Sequence, residues 1–426
     1  MMKQTAKTLL STLFLTLLPA LAAAEEAPAI DTGDTAWIIV ATAMVMVMTP
    51  GLALFYAGMV RKKNVLGTIM HSFFMLCLVS VQWVLWGYTL AFGPDVASVV
   101  GGLAHLGLAG VGGEPNGTIP HLVFMMFQGT FAIITVALIS GAFAERMRFS
   151  TFVVFGLLWT TFVYDPVCHW VWGGGWIGEM GALDFAGGTV VHISSGVSAL
   201  VAAVVMGKRK GYPNEAMPPH NLPMTVLGTA LLWFGWFGFN AGSALAADAI
   251  AATALVATNT AAAAGALGWT FVEWAQRGKP TVLGAVSGAV AGLVGITPAA
   301  GFVGPVSSII IGLGAGVLCY MAVSLVKPLL GYDDSLDVFG IHGVGGIWGA
   351  IATGLFASVG AEGLFFGNPA QLMPQIAGVV ATIVYAGVVS FIILKVLDAV
   401  MGLRVDAEEE TMGLDITQHG ESGYTS

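Results

Sequence analysis

Charge is scarce in this chain of 426 residues: only 9% are Asp, Glu, Lys or Arg, against 57% hydrophobic. With a mean hydropathy of +0.86, the chain has more apolar surface than a soluble core of this length could hide. A soluble globular class is excluded, which leaves an integral membrane protein. Cysteine is nearly absent as well. Cys77, Cys168 and Cys319 stand in or near apolar stretches without CxxC spacing, so neither a disulfide framework nor a zinc site is indicated and they read as small core residues. The ten-residue alternating segments of a barrel are lacking, which leaves helices as the structure able to satisfy every backbone group in lipid. No HExxH pattern occurs, and nothing supports nucleic-acid binding or a metal cofactor.

What is abundant is glycine, 58 residues, alongside many alanines. Lipid gives little hydrophobic drive for helix association, so small residues that permit close approach point to a tight bundle of many helices. Apolar runs bounded by charged or turn residues place spans near 35–60, 65–92, 121–144, 150–171, 185–207, 223–243, 249–274, 281–298, 303–327, 336–358 and 373–403. That makes about eleven. Ahead of them, Lys3 and Lys7, an apolar Leu9 to Leu18 and the small residues Ala22 and Ala24 read as a signal peptide over 1–24, giving an outside N-terminus after cleavage. Thirteen basic residues, from Arg61 to Arg404, all fall at connections or span ends on one side, and the opposite connections carry none. The positive-inside rule makes that side cytoplasmic, and an odd number of spans puts the tail from Arg404 there too.

Two stretches set ionisable groups inside lipid-compatible helices. Asp184-Phe185-Ala186-Gly187-Gly188-Thr189-Val190-Val191-His192 is followed later by Leu336-Asp337-Val338-Phe339-Gly340-Ile341-His342, each a Leu-Asp, a histidine and a glycine-rich apolar run. One intramembrane histidine is commonly a neutral core residue. Two in matching positions of two halves point to a substrate or ion path, because such groups usually face an internal cavity. The match fits two five-helix repeats, spans one to five and six to ten, plus one extra helix. Five is odd, so the repeats are inverted, and inverted repeats enclose a site between equivalent helices where His192 and His342 should meet. Asp184 stands before glycines at a span start, where its carboxylate can accept the unpaired backbone N–H groups of the first turn. Asp337 reads as a second helix cap. Phe131, Trp172 and Ser243, near one end of their spans, offer aromatic faces and a hydroxyl that attract a small cation, whereas Trp170, Trp176 and Trp233 read as interface-belt residues.

Four motifs in order, Asp184 to His192, Gly235-Trp236-Phe237-Gly238-Phe239-Asn240-Ala241-Gly242-Ser243, Phe339 to Gly346, and Gly413-Leu414-Asp415-Ile416-Thr417-Gln418-His419-Gly420-Glu421, resemble the Amt/Mep/Rh ammonium transporters, the bacterial Amt branch in particular. The resemblance covers the mature chain. It implies a non-enzymatic ammonium transporter of the bacterial inner membrane: an all-α, polytopic homotrimer with one pore per subunit, the membrane domain spanning 25–403 and the cytoplasmic tail 404–426. Carried over residue by residue, Phe131, Trp172 and Ser243 are implied as the recruitment site, Phe131 and Phe239 as a stacked gate, and His192 and His342 as a twin-histidine pair. Trp236 and Thr297 are implied as further pore positions, and Asp184 as the buried acid near the recruitment site.

On this reading ammonium sheds its proton and crosses as ammonia, because stripping a cation of water costs far more than replacing a neutral molecule's hydrogen bonds, and potassium has no neutral form. Two adjacent imidazoles cannot both charge, so the pair either guides ammonia only or also relays the proton. Composition alone reads the tail as a solvated, partly disordered end. The resemblance implies instead that it packs on the cytoplasmic face and helps dock a P-II signalling protein. Rival functions are a neutral-solute channel, an ammonium sensor acting through the tail, and a metal-dependent intramembrane enzyme; Asp184 and His192, eight residues apart, stand too far along a helix to share one ion.

Overall fold

The structure, a computed structural model, describes residues 29–424. The expected signal peptide lies outside them. Eleven apolar helices form the body of the described chain: α1 (Thr32–Met59), α2 (Lys62–Phe92), α3 (His121–Phe143), α4 (Phe149–Glu179), α5 (Gly188–Met206), α6 (Leu222–Ala244), α7 (Ala249–Arg277), α8 (Val282–Ile296), α9 (Pro305–Leu330), α10 (Phe339–Phe356) and α11 (Pro369–Met401). All but α8 are long enough to cross a bilayer. The expected boundaries hold to within a few residues for most of them. At α8, Val282–Ile296 against the expected 281–298, Thr297 keeps helical backbone and the helix stops because Pro298 has no N–H to continue the ladder. The tight turns Thr297 to Gly301 continue the crossing.

Sequence sets the starts of four of these helices through side-chain caps. Asp31 accepts from Asp34 N, Asn221 from Met224 N, Asp248 from Ile250 N and Ala251 N, and Thr281 from Gly284 N. The helices form two inverted five-helix repeats with α11 added outside them. Their equivalence is visible in wide π turns, each a local insertion into an α-helix. Thr160–Tyr164 in α4 is followed by Asp165-Pro166, and Ala322–Val326 in α9 by Lys327-Pro328. Gly188–Ile193 opens α5 and Phe339–Gly343 opens α10. Small residues let partner helices touch by their backbones, as where a Cβ on Gly238 of α6 would lie 2.7 Å from Ala41 O of α1.

At one end, short hairpins β1 (Asp95–Val96) with β2 (Val100–Gly101) and β3 (Pro115–Asn116) with β4 (Ile119–Pro120) cover the bundle. Trp170 is buried here rather than lying in an interface belt, because the loop covers it and its indole N–H donates to Val99 O. Cys168 and Cys319 are core residues as expected, whereas Cys77 is exposed on the bundle's outer face.

At the other end charged groups knit the connections together. Glu145, 1% exposed, bridges Arg61 at 2.7 Å and Arg209 at 3.3 Å, and Arg209 bridges Asp333 at 2.8 Å. Burial pushes the Glu145 and Asp333 carboxyls up, but the hydrogen bonds and charges of Arg61 and Arg209 outweigh it and hold both below the usual carboxylate range. A folded-state pKa lowered in this way gives stability that is present above the unfolded value and lost as pH falls through the folded one. The melting temperature in detergent should therefore fall on acidification below about pH 4, the unperturbed carboxylate range. Arg209→Met should cost about 3–5 kcal/mol at neutral pH, because it leaves buried carboxylates short of a partner. A thermal melt of the variant no lower than that of the parent would contradict this.

The tail does not behave as composition alone reads it. It forms α12 (Ala407–Met412) and α13 (Leu414–His419), docked on the charged end. Glu410, 2% exposed, accepts from Lys210 N and pairs with Arg404 at 2.6 Å. Asp415 accepts from Gly67 N in the first turn of the α2 α-helical segment, whose own flanking residue supplies no side-chain cap. Gln418 accepts from Phe149 N at the start of α4.

Candidate functional site

On α3, Phe127, Gln128 and Phe131 recur at helical spacing and face the middle of the bundle. Above them, at the hairpin end, lies a cavity of about 320 Å³ lined by Phe92, Gln128, Trp172, Phe185, Ser243 and Leu245 among others. Trp172 is fixed by its indole N–H, which donates to Asp184 O at 2.8 Å. The Ser243 hydroxyl donates to Phe239 O at 2.8 Å, which leaves its oxygen lone pairs for the cavity. Gln128 was given no role by sequence reasoning. Its side chain lines the cavity and its Oε1 is buried without a partner; the signal was a lone amide on a helix otherwise nearly all apolar.

The floor of this cavity is closed. The Phe131 and Phe239 rings stack with centroids 4.2 Å apart and 28° between planes, and Trp172 stands edge-on to Phe131 at 5.8 Å. Beyond the rings is a void of only about 10 Å³, room for roughly one water. Its walls are aliphatic and aromatic, Ile134, Leu138, Val191, Leu232 and Trp236 among them, and the imidazoles of His192 and His342 are set into them.

Those imidazoles meet, Nδ1 to Nδ1 at 3.2 Å, with ring planes 31° apart. Their protons can be assigned from the neighbours. The Thr297 hydroxyl donates to Leu293 O at 2.8 Å and accepts from the Trp236 indole at 2.9 Å, so toward His192 Nε2, 3.3 Å away, it can only accept again. His192 therefore carries its proton on Nε2 and presents a bare Nδ1. His342 must then donate from Nδ1, which leaves its own Nε2 bare. The two neutral rings form a one-way chain of donors, set by a threonine at the broken end of α8.

The backbone under His192 is held by Asp184. One carboxylate oxygen accepts from Gly187 N at 2.8 Å and Gly188 N at 2.6 Å; the other accepts from Thr189 N at 2.8 Å, Val190 N at 3.3 Å and the Thr189 hydroxyl. Gly187 sits at φ +114°, a left-handed conformation that a side chain would strain. The second repeat corrects one assignment. Asp334, not Asp337, is the counterpart of Asp184: it lies eight residues before His342, and it accepts from Phe339 N at 2.8 Å, the same five-residue offset as Asp184 to Thr189. Asp337 matches Gly187 instead, with φ +60°, and pairs with Lys327 at 2.6 Å rather than capping a helix. Burial pushes the Asp334 carboxyl up to about 6. At the charged end a second cavity of about 400 Å³ opens beside Glu273, Ser287, Tyr320, Val323 and Asp337.

Such a line of closed rings, dry walls and alternating donor and acceptor nitrogens can pass a small neutral hydrogen-bonding molecule and rejects an ion. Among the described residues no group of His, Cys, Asp and Glu is placed to hold a metal.

Comparison with known proteins gives a consistent result. The model of the Ammonium Transporter Family matches residues 36–424. The chain is 58% identical over 400 residues to the "Ammonium transporter" of Bacillus subtilis, covering 92% of this chain and 98% of that protein. It is 50% identical over 397 residues to "Ammonium transporter Amt1" of Archaeoglobus fulgidus, covering 92% and 99%. The crystal structure of Candida albicans Mep2 superposes with a TM-score of 0.86 at 40% identity, over 93% of this chain and 91% of that one. A solved "Sensor Amt Protein" superposes with a TM-score of 0.86 at 30% identity, over 91% and 98%.

Proposed function

The chain belongs to the ammonium transporter family, whose members are not enzymes, and on that premise we propose that it moves ammonium by conducting ammonia past His192 and His342. Ammonium is recruited in the cavity beside Trp172 and Ser243, above the face of Phe131, where ring quadrupoles contribute about 0.5–2 kcal/mol per contact and the Ser243 oxygen adds a hydrogen-bond acceptor. It gives up its proton at the closed Phe131–Phe239 pair, either to water in the cavity above or onward through the histidines. Ammonia then exchanges hydrogen bonds with the imidazole nitrogens, and Trp236 and Thr297 keep His192 oriented. Asp184 positions the α5 backbone, and its charge helps hold the cation above. What carries this reading is the void of about 10 Å³ behind the stacked rings, too small for a hydrated ion. Methylammonium uptake into proteoliposomes should be undiminished by a large excess of potassium. Potassium competition in proportion to its concentration would sink the proposal and favour an open cation pore. Currents on ammonium addition would show that the histidines also pass the released proton inward; electrically silent uptake would restrict them to guiding ammonia.

We place residues 25–403 in the bacterial inner membrane as the transport domain, following a signal peptide at 1–24, with the hairpin end outside, the tail 404–426 cytoplasmic and the subunits in a homotrimer. The docked tail supports a second proposal, that the charged end receives a P-II signalling protein, one of whose loops plugs the cavity beside Asp337. Removing residues 407–426 should abolish P-II capture by membranes containing the protein; unimpaired capture would refute the tail's part. The likeness to a sensor protein supports an additional sensing role through the same surface.

A further inference from the structure

Away from the histidine path, α2 and α4 share a buried polar contact that transport does not use. Gln82 and Asp165 are 1% and 0% exposed, and the Gln82 Nε2 donates to Asp165 Oδ2 at 2.9 Å. Asp165 enters no ion pair among the described residues. An isolated carboxylate in such surroundings is costly by several kcal/mol. Two further atoms have no partner: the second oxygen of Asp165, Oδ1, and the amide oxygen of Gln82, Oε1. Both are acceptors so long as the acid is ionised.

The contact is built with some care. Each residue borders a π turn, Gln82 before Trp83–Gly87 and Asp165 after Thr160–Tyr164. The first turn brings Gly87 under the Gln82 amide, so that a Cβ at 87 would stand 2.5 Å from Oε1 and 2.7 Å from Nε2. Only a residue without a side chain leaves the amide where Asp165 needs it. Trp83, edge-on to Tyr164 at 6.2 Å, packs beside it.

We propose that Asp165 is a proton-binding site of the membrane interior, held as a carboxylic acid whose Oδ1–H donates to Gln82 Oε1 and closes a two-bond acid–amide ring between α2 and α4. One proton accounts for both unpartnered oxygens, for the missing cation and for the glycine under the amide. The bound proton is structural: it stays on Asp165 while transport proceeds through the other side of α3.

Infrared difference spectra of the purified full chain against Asp165→Asn test this directly. The parent should show the carbonyl stretch of a protonated carboxylic acid at neutral pH, lost in the variant; carboxylate bands in its place would overturn the proposal. Asparagine can also form two bonds with a glutamine, so Asp165→Asn should keep the parent's melting temperature and methylammonium uptake. Asp165→Leu and Gly87→Ala should each lower the melting temperature by several degrees. Asp165→Asn melting as low as Asp165→Leu would show that the ring is not what the acid provides, and a loss of uptake in Asp165→Asn with folding intact would make the proton mobile rather than structural.

Discussion

Asp184→Asn should lose most of its folded, transport-competent protein, the largest effect expected of any single conservative change here. The carboxylate receives four backbone N–H groups and one hydroxyl, and an amide has only one oxygen to serve them. Whichever way the amide turns, its NH₂ faces buried N–H donors. Orphaned buried donors cost about 1–3 kcal/mol each, so two reach about 2–6 kcal/mol, a large share of a typical domain's stability. The readouts are yield of monodisperse protein in detergent and the melting temperature. The control is Asp337→Asn, whose side chain is 30% exposed and makes one ion pair, and which should be mild. An Asp184→Asn protein that folds and transports normally would remove both the capping role and any need for the charge.

His342→Leu should fold yet fall in ammonium flux by about 10–100-fold. Leucine fills a similar volume but offers ammonia no hydrogen bond in a passage with few others, a deficit of about 1–3 kcal/mol at the barrier. The bare Nδ1 of His192 also loses its donor. Potassium should stay excluded, since the Phe131–Phe239 stack is untouched. Uptake of methylammonium and potassium by the same proteoliposomes separates the two effects; undiminished flux would show that the imidazoles are not on the route.

The sequence placed most spans because twenty apolar residues between turn signals leave lipid as the compatible surrounding. It misread the repeat register because the Leu-Asp dipeptide recurs at 336–337, while the equivalence rests on distance to the histidine, which selects Asp334. The π turns were invisible, since an extra residue in a turn leaves composition unchanged. The protons of His192 and His342 follow from Thr297, more than a hundred residues from His192 in the chain and placed by the break at Pro298. Tail docking escaped composition for the same reason: Glu410 and Asp415 look solvated until Lys210 and Gly67 are seen beside them. Gln128 is the residue whose lone polarity on an apolar helix could have been noticed.

The Nδ1-to-Nδ1 contact joins one imidazole from each half of the molecule. Neither half alone holds a complete machine, so the two have had to remain on a single polypeptide, or find each other, for as long as the pairing has mattered.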